Sequence, residues 1–371
     1  MADKNSFGKV FKITTFGESH GKCVGVVIDG CPAGLALKEE DIQKELERRR
    51  PGQSGITTPR KESDLVQIMS GIFNGFTTGA PICALVWNKD VDSSFYENIR
   101  YTPRPGHADY TAFIKYGGFS DYRGGGRFSG RITVSFVIAG AIAKKVLREV
   151  LGVEILAYTV QIGDIKAKNK SIEEIKAEID NNLVRCGDLE AAKKMVELIE
   201  KVKEEGDSVG GIIECSTLNV PPGLGEPVFD TVEGELAKVL FAIPGVKGVE
   251  FGAGFKASIM RGSEHNDQFY VAEDGSIRTF TNNSGGILGG ITNGEPLVLR
   301  VAIKPTATIG KPQKTVDLKT KKTVEISGKG RHDPCIVPRA IPVIESAIAV
   351  ALTDLATRMG LINRVITNKN R

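Results

Sequence analysis

The stretch IPVIESAIAVALTDLATRMG, residues 341–360, is a long apolar run that predicts a helix over 341–359. Gly360 follows the last predicted helical residue, which is a common place for glycine to end a helix. The stretch SFVIAGAIAKKVLREV, residues 135–150, predicts a second helix, which should be buried. Two long apolar helices, one mid-chain and one near the end, are therefore the first elements predicted.

Shorter helices and strands fill the rest of the chain. Helical spacing predicts a helix over 37–50 that stops at Pro51-Gly52, one from Ser171 towards Asn182, and one over 188–205. Runs rich in β-branched residues predict strands at 24–29, 82–87, 210–219, 258–259 and 297–303. Because no repeat or linker interrupts this α and β mixture, we expect one intertwined domain over 1–371, with a solvated helical excursion near 164–206.

Glycine is the compositional outlier, at 43 of 371 residues, against an average usage of about 7 %. Much of the excess lies in five short segments: 17–34, 117–130, 245–262, 285–294 and 328–330. Such clusters indicate backbone that turns tightly or approaches a ligand closely. A hydrophobic content of 41 % and a charged content of 25 % exclude a disordered or collagen-like chain. The net charge of +4 is too small to indicate nucleic-acid binding.

Cysteines and apolar runs predict a cytoplasmic protein. The six cysteines show no CxxC spacing and no disulfide-scaffold density, so reduced thiols are expected. The N-terminus has no apolar signal core. The longest candidate membrane run, 132–143, has about 12 residues where about 20 are needed to span. No HxH, HExxH or His/Cys cluster occurs, so no metal site is predicted.

Three of the four histidines lie in turns that contain Gly or Pro and have charged neighbours. His20 lies in GESHG (17–21), His107 in RPGHAD (104–109) and His332 in KGRHDP (329–334). Imidazole transfers protons near neutral pH, so these turns are candidates for acid–base catalysis.

Arginines are concentrated between residues 100 and 131, which contain five Arg and one Lys but only two Asp. Guanidinium groups bind carboxylates and phosphates through paired hydrogen bonds, and glycine backbone can add N–H donors. KPTAT (304–308) adds a cation and hydroxyls suited to a phosphate or ribityl chain. The absence of Walker A and GxGxxG patterns disfavours an ATPase or a Rossmann dehydrogenase. The residues leave open an RGG-like nucleic-acid segment and a flavin-free phosphohydrolase with histidine acid catalysis.

Taken together, these segments resemble the chorismate synthase family. The resemblance is carried by TTFGESHG (14–21), RRRPG (48–52), RPGHADY (104–110), DYRGGGR (121–127), GGILGGITNG (285–294), KPT (304–306) and KGRHDPC (329–335). It implies an α+β fold, a β-α-β sandwich, assembled as a homotetramer. It also implies a lyase that eliminates phosphate from 5-enolpyruvylshikimate 3-phosphate in a 1,4-elimination. The product is chorismate, and the reaction is the last common step of the shikimate pathway to the aromatic amino acids.

The resemblance further implies a requirement for reduced FMN (FMNH2), with NADPH possible only as an electron source. His107 would protonate the reduced flavin, His20 the leaving phosphate, and Asp333 would assist the flavin atom that collects the substrate's C6 proton. The implied substrate-binding residues are Arg49, Arg104, Ser129, Arg131 and Arg331. The implied FMN-binding residues are Arg127, Phe128, Ser129, Pro244, Gly245, Gly289, Lys304, Pro305, Thr306, Ala307, Thr308 and Arg331.

Some positions depart from the family pattern. Phe128, Ala307 and the pair Pro244-Gly245 differ from the family's usual residues. NADP would contact Arg49, while Gly55 stands where many members carry an arginine linked to NADPH or substrate binding. The expected partner is the small-molecule substrate, and neither nucleic acid nor a membrane is expected to bind.

Overall fold

A computed structural model of the chain describes residues 5–52, 56, 63–89, 92–328 and 333–367. Its strands are β1 (Ser6–Phe7), β2 (Lys12–Gly17), β3 (Cys23–Asp29), β4 (Val66–Ile68), β5 (Ile72–Phe73), β6 (Phe76–Thr77), β7 (Ile82–Trp87), β8 (Glu154–Ile162), β9 (Ile165–Lys166), β10 (Gly211–Leu218), β11 (Val246–Phe251), β12 (Phe269–Val271), β13 (Ile277–Thr279), β14 (Ile287–Leu288), β15 (Ile291–Thr292), β16 (Leu297–Ile303), β17 (Gln313–Val316) and β18 (Thr323–Ile326). Its α-helices are α1 (Glu39–Arg49), α2 (Ser94–Asn98), α3 (Asp109–Tyr116), α4 (Thr133–Leu151), α5 (Ile172–Glu178), α6 (Leu189–Glu204), α7 (Val232–Phe241), α8 (Gly262–His265) and α9 (Val337–Arg358). Short 3-10 segments lie at Arg123–Phe128, which is kinked at its three glycines, and at Gly130–Ile132 and Gly254–Ile259.

Two antiparallel sheets enclose a layer of helices. The first sheet has the strand order β1-β2-β3-β7-β4, and the second has the order β11-β16-β10-β8-β9. Helix α4 packs on β3 of the first sheet, α9 packs on β8 of the second, and the two helices pack on each other. This arrangement confirms the predicted α+β fold and its β-α-β sandwich.

A glycine permits the close contact between the two central helices. A Cβ at Gly140 in α4 would lie 2.1 Å from the Cβ of Ser346 in α9, far inside normal contact distance. Helix α9 is buried from Val337 to Ala356 apart from Arg339. By length and composition, it is the described helix that could cross a membrane, but 89 % of its apolar window is buried inside the protein. The expectation that the longest candidate membrane run lies at 132–143 is therefore wrong, because among the described helices α9 is the one that is long and apolar enough.

Buried charges tie α1 to this helix pair. The Glu345 carboxylate in α9 is 2 % exposed and accepts two hydrogen bonds from Arg48 of α1, at 2.6 and 3.0 Å. Lys144 of α4 pairs with the same carboxylate and, at 2.9 Å, with Glu45 of α1. Because unpaired charges are costly in the interior, this network fixes the last turn of α1 against both central helices.

Most predicted elements are present with small shifts in their ends. The helices predicted over 135–150 and 341–359 begin earlier, at Thr133 and Val337, and the helix capped by Ser171 ends at Glu178. The strand predicted at 258–259 is wrong, because these residues belong to the turn Gly254–Ile259. Left-handed backbone at Gly252 and Gly254, with φ of +54° and +56°, turns the chain away from the sheet there.

The segment 164–206 contains β9, α5 and α6. Helix α6 buries one face, formed by Ala191, Ala192, Met195 and Ile199, and leaves its charged face in solvent. This amphipathic pattern is what the sequence predicts for the segment.

Candidate active site

A cavity of about 1090 Å³ lies at one end of the helix layer. Its wall includes Thr133 at the start of α4, Ile336 just before α9 and Arg49 at the end of α1. Residues that follow β2 in the first sheet and β16 in the second also line it, together with loop residues at 104–108, 124–131 and 241–247. Helix N-termini carry partial positive charge, so the first turns of α4 and α9 favour an anionic ligand here.

Cations outnumber acids among the described residues of the cavity wall. The acids are Asp92 and Asp333, and the cations are Arg49, Arg104, Arg127, Arg131, Lys247, Lys304 and Arg339. Burial, together with the charge of Arg339, lowers the pKa of Arg49, and burial together with Lys247 lowers the pKa of Lys304. Because crowded cations repel one another, a ligand with several negative charges would stabilise this wall.

His20 lies on the turn between β2 and β3, and its side chain fills a narrow slot beside Gly124. Its side chain is buried, its Nδ1 lies 2.9 Å from Ser93 Oγ, and Tyr96 packs edge-on with ring centroids 5.2 Å apart. Gly124 closes the slot: a Cβ there would lie 2.4 Å from His20 Cδ2 and 2.5 Å from Nε2. The φ of +59° at Gly124 also favours glycine. The glycines of DYRGGGR therefore make room for the imidazole.

The His107 side chain packs against Gly125, the next glycine of the same run, and is oriented by Asp109. Its Nδ1 is 2.7 Å from Asp109 Oδ1, and a Cβ at Gly125 would lie 3.0 Å from its Cε1. A carboxylate only accepts, so Nδ1 can donate to Asp109, while Arg104 Nη2, which only donates, lies 3.3 Å from Nε2 and 3.1 Å from Nδ1. Arg104 completes the group through bonds to Asp109 of 2.7 and 2.8 Å. Burial opposes ionisation of Asp109, but hydrogen bonds from Arg104 and His107 hold its pKa well below the ordinary value.

Arg49 and Arg131 share one buried carboxylate. Asp64 is 2 % exposed; Arg49 Nη1 lies 3.3 Å from its Oδ2, and Arg131 Nη1 pairs with its Oδ1. Arg49 also donates to Thr133 Oγ1 at 3.1 Å and to the Gly130 carbonyl at 2.8 Å. These bonds fix two guanidinium groups side by side at the start of α4.

The segment after β16 brings a cation and hydroxyl groups to the same wall. Lys304 Nζ donates to the carbonyl of Gly106, and Thr308 Oγ1 accepts from Arg104 at 3.3 Å. The Thr306 hydroxyl is buried and has no hydrogen-bond partner among the described residues. This part of the wall joins the loop that carries His107 to the second sheet.

Arg127 is largely committed to the fold. Its guanidinium donates to the Gly17 carbonyl at 2.9 Å, to Asn5 Oδ1 at 3.0 Å and to Thr15 Oγ1 at 2.7 Å. Burial lowers its pKa. Arg127 thus anchors the glycine run to β2 while lining the cavity.

The cavity wall contains the predicted site residues with two exceptions. Those that line it are His20, Arg49, Arg104, His107, Arg127, Phe128, Ser129, Arg131, Pro244, Gly245, Lys304, Pro305, Thr306, Ala307, Thr308 and Asp333. Gly289 lies between β14 and β15, outside the described wall, and its contact with FMN stays a prediction. Arg331 lies outside the described residues, as do His332 and Gly55.

Sequence reasoning missed several residues of the site. Asp64, Lys247 and Arg339 stand outside the quoted motifs. Arg339 pairs with Asp333, and its Nε donates to the Arg49 carbonyl at 3.1 Å. Arg339 could have been noticed as a cation four residues after the motif KGRHDPC (329–335), whereas for Asp64 no local signal existed. Among the described residues, no group of three or more His, Cys, Asp or Glu is arranged to hold a metal ion.

Comparisons with known proteins show the family of this chain. The family model described as chorismate synthase matches residues 11–357. The chorismate synthase of Dehalococcoides mccartyi is 59 % identical over 98 % of this chain and 99 % of its own, and that of Methanocaldococcus jannaschii is 54 % identical over 97 % and 98 %. A crystal structure of chorismate synthase superposes with a TM-score of 0.75 and 31 % identity, over 95 % of this chain and 93 % of that chain. The chain therefore belongs to the chorismate synthase family.

Proposed function

We propose that this protein converts 5-enolpyruvylshikimate 3-phosphate to chorismate by a 1,4-elimination of phosphate that requires reduced FMN. Membership of the family supports a lyase at the chorismate-forming step of the shikimate pathway. One observation carries the finer proposal: two imidazoles, packed on adjacent glycines, share a cavity with a cluster of cations. The substrate has two carboxylates and a phosphate, which is the kind of ligand that this cluster would stabilise.

The cavity wall is compatible with a flavin beside the substrate. A volume of about 1090 Å³ exceeds the upper end of ordinary single-ligand pockets, about 1000 Å³. Apolar side chains of Phe128, Pro244, Pro305 and Ile336 line part of the wall and would suit a flat ring. The buried, unpartnered hydroxyl of Thr306 and the cation of Lys304 are groups that a ribityl phosphate could use.

The elimination breaks the C6–H and C3–O bonds and forms a new C=C bond, so phosphate leaves without net oxidation. Reduced FMN would supply an electron transiently and an atom that collects the C6 proton. His20 would donate a proton to the departing phosphate. Ser93 and Tyr96 hold its ring in place for this transfer. His107, oriented by Asp109, would hold a proton near the anionic flavin.

The remaining residues would bind and orient charge. Arg49, Arg104, Ser129 and Arg131 would hold the substrate's anionic groups, with Arg331 as the family resemblance implies. Asp333, held by Arg339, would assist transfer of the C6 proton. Such fixed charges stabilise developing charge without reorganising during the reaction.

The proposal extends to the protein's setting. The protein would be cytoplasmic and form a homotetramer. Its ligand would be the small-molecule substrate, with no nucleic-acid or membrane partner, and NADPH would act only as an electron source near Arg49. On the hairpin β12–β13, Phe269 and Val271 are exposed, and Tyr270 stacks on the exposed Phe280 beside them; this apolar patch supports a protein–protein surface on this chain.

An anaerobic assay tests the activity. The protein is mixed with 5-enolpyruvylshikimate 3-phosphate, with and without chemically reduced FMN, and chorismate and phosphate are both measured. We expect equal amounts of the two products, and only with reduced FMN. Phosphate release without flavin would instead favour a phosphohydrolase, and absent turnover together with tight RNA retention would favour a nucleic-acid-binding protein.

A further inference from the structure

One amide side chain joins the turn that carries His20 to the guanidinium of Arg131. Asn88 directly follows β7, and its Nδ2 donates to the carbonyl oxygens of Glu18, at 3.1 Å, and Gly21, at 2.9 Å. Its Oδ1 accepts from Arg131 Nε at 3.0 Å. The two carbonyls bracket His20 in the sequence, so the amide closes the turn from outside. Asn88 itself is not among the described residues that line the cavity.

The chemistry of these partners fixes the orientation of the amide. Backbone carbonyls only accept, so both must face the NH2 group, whereas a guanidinium only donates, so it must face the oxygen. Asparagine offers two donors and an acceptor on one short planar group. Aspartate has the acceptor without the donors, and alanine has neither. The three contacts therefore require this residue type at this position.

We propose that Asn88 is a positioning residue for the elimination: it holds the His20 turn at a fixed separation from the Arg131 guanidinium. This inference rests on the proposed function, in which His20 protonates the phosphate and Arg131 binds the substrate's anionic groups. Both act on one bound molecule, so their separation determines whether the proton donor reaches its target while the substrate stays in place. An error of about 1 Å in such a geometry can lower turnover about 100-fold.

The surrounding contacts show why one amide has this influence. Within the His20 turn, Gly21 N donates to the Glu18 carbonyl at 3.1 Å. The turn is joined to the glycine run by a hydrogen bond from Ser19 N to the Gly126 carbonyl at 3.3 Å. Asn88 is itself fixed, since its backbone N–H donates to the Lys22 carbonyl at 3.0 Å and extends the β3–β7 pairing. The sheet thus provides the rigid base, and the amide transmits its position to both groups.

A double-mutant cycle tests the proposal. Steady-state kcat and KM are measured for Asn88→Ala, His20→Ala and the double variant, with Asn181→Ala as the matched control. Asn181 also donates its amide to a backbone carbonyl, that of Ala177 at 2.8 Å, but lies in the segment 164–206, which contributes no residue to the cavity wall. We expect Asn88→Ala to lower kcat about 10- to 100-fold in the native background and less than about 3-fold when His20 is already absent.

Two results would overturn the proposal: kcat for Asn88→Ala equal to that of the Asn181 control, or losses that multiply fully in the double variant. If the alanine variant does not fold, Asn88→Asp, nearly the same size, removes both donors and should show the same coupling to His20. Failure of the proposed function is separate, because it would appear as no turnover by the unaltered protein. In that event, the imidazole NMR resonances of His20 decide: a shift in Asn88→Ala but not in Asn181→Ala supports positioning, and unchanged resonances contradict it.

Discussion

Gly124→Ala should lower turnover strongly by displacing His20 while leaving the fold intact. The added Cβ would lie 2.4 Å from His20 Cδ2, 2.5 Å from its Nε2 and 2.8 Å from Ser19 Oγ. The ring cannot move freely in response, because Ser93 holds its Nδ1 and Tyr96 packs on its edge. To reach a contact distance of about 3.4 Å, the imidazole must move about 1 Å.

Two separate costs follow from the geometry. An alanine at φ of +59° carries left-handed backbone strain of about 1–2 kcal/mol, which lowers the free energy of unfolding. The displacement of the proton donor by about 1 Å should lower kcat about 100-fold. The first cost is one of stability and the second one of catalysis, so a suitable control can separate them.

Gly152→Ala supplies that control. Gly152 follows α4 with φ of +69°, and an added Cβ would meet no described atom within 4 Å. It should therefore carry the backbone strain without the steric clash. Anaerobic chorismate formation with reduced FMN gives kcat, and urea unfolding gives the free energy of unfolding for both variants. We expect similar losses of stability and a large loss of kcat in Gly124→Ala alone.

The reasoning would be refuted if Gly124→Ala kept kcat within about 3-fold of Gly152→Ala. That result would mean that the His20 ring relaxes at little cost or that its position does not govern turnover. Equal losses of kcat in both variants would point to backbone strain and not to the clash.

Replacing His20 or His107 by Ala should lower kcat about 10²- to 10⁴-fold, the usual contribution of one acid–base group. FMN affinity, measured by fluorescence, should stay largely unchanged. Near-normal turnover in either variant would exclude that residue from proton transfer. Arg131→Ala should mainly weaken substrate binding, seen as a raised KM, and an unchanged substrate affinity would contradict its part in holding the substrate. Glu345 is buried, which alone would raise its pKa, but Lys144 and Arg48 lower it to about 2 from an ordinary 4.5. The unfolded chain therefore takes up the proton first, so the free energy of unfolding should fall as the pH decreases from about 4.5 to about 2. In urea titrations Glu345→Gln should flatten this fall, and an unaltered pH dependence would show that another group causes it.

The central helices could be predicted because their signal is local. Residues 135–150 and 341–359 are apolar over several turns, and such runs form helices wherever they can be buried. Their true first residues, Thr133 and Val337, were harder to place, since Arg131 and Ile132 belong to a 3-10 turn that the site holds in place. Pro338 is compatible with the start of α9 because the first turn of a helix has no internal partner for its N–H groups.

The strand error at 258–259 has the opposite cause. Two residues carry too little pattern to predict a strand, and the backbone at Gly252 and Gly254 decides the local direction. Sequence periodicity does not report such left-handed positions unless the turn type is already known.

The candidate site divides in the same way. Glycine-bracketed histidines, the arginine run and KPTAT were recognisable from residue chemistry and order along the chain. The slot that Gly124 makes for His20, the carboxylate of Asp64 between two arginines and the bridge from Asn88 to Arg131 were not. Arg49 and Asp64 are 15 positions apart, Asn88 and Arg131 are 43 apart, and Asp64 and Arg131 are 67 apart. Contacts over such separations leave no periodic trace in the sequence.

By itself, the sequence determined which chemical groups this protein has and which segments become helices or strands, because these properties depend on side-chain chemistry and on spacings of a few residues. Its clustered glycines indicated backbone that approaches a ligand closely, and the family motifs indicated which ligands to expect. Which glycine contacts which imidazole, and which carboxylate orients which guanidinium, depends on how the elements pack. Those pairings arise when α4 and α9 pack between the two sheets and bring the ends of distant elements to one cavity, and packing of that kind depends on the whole chain at once.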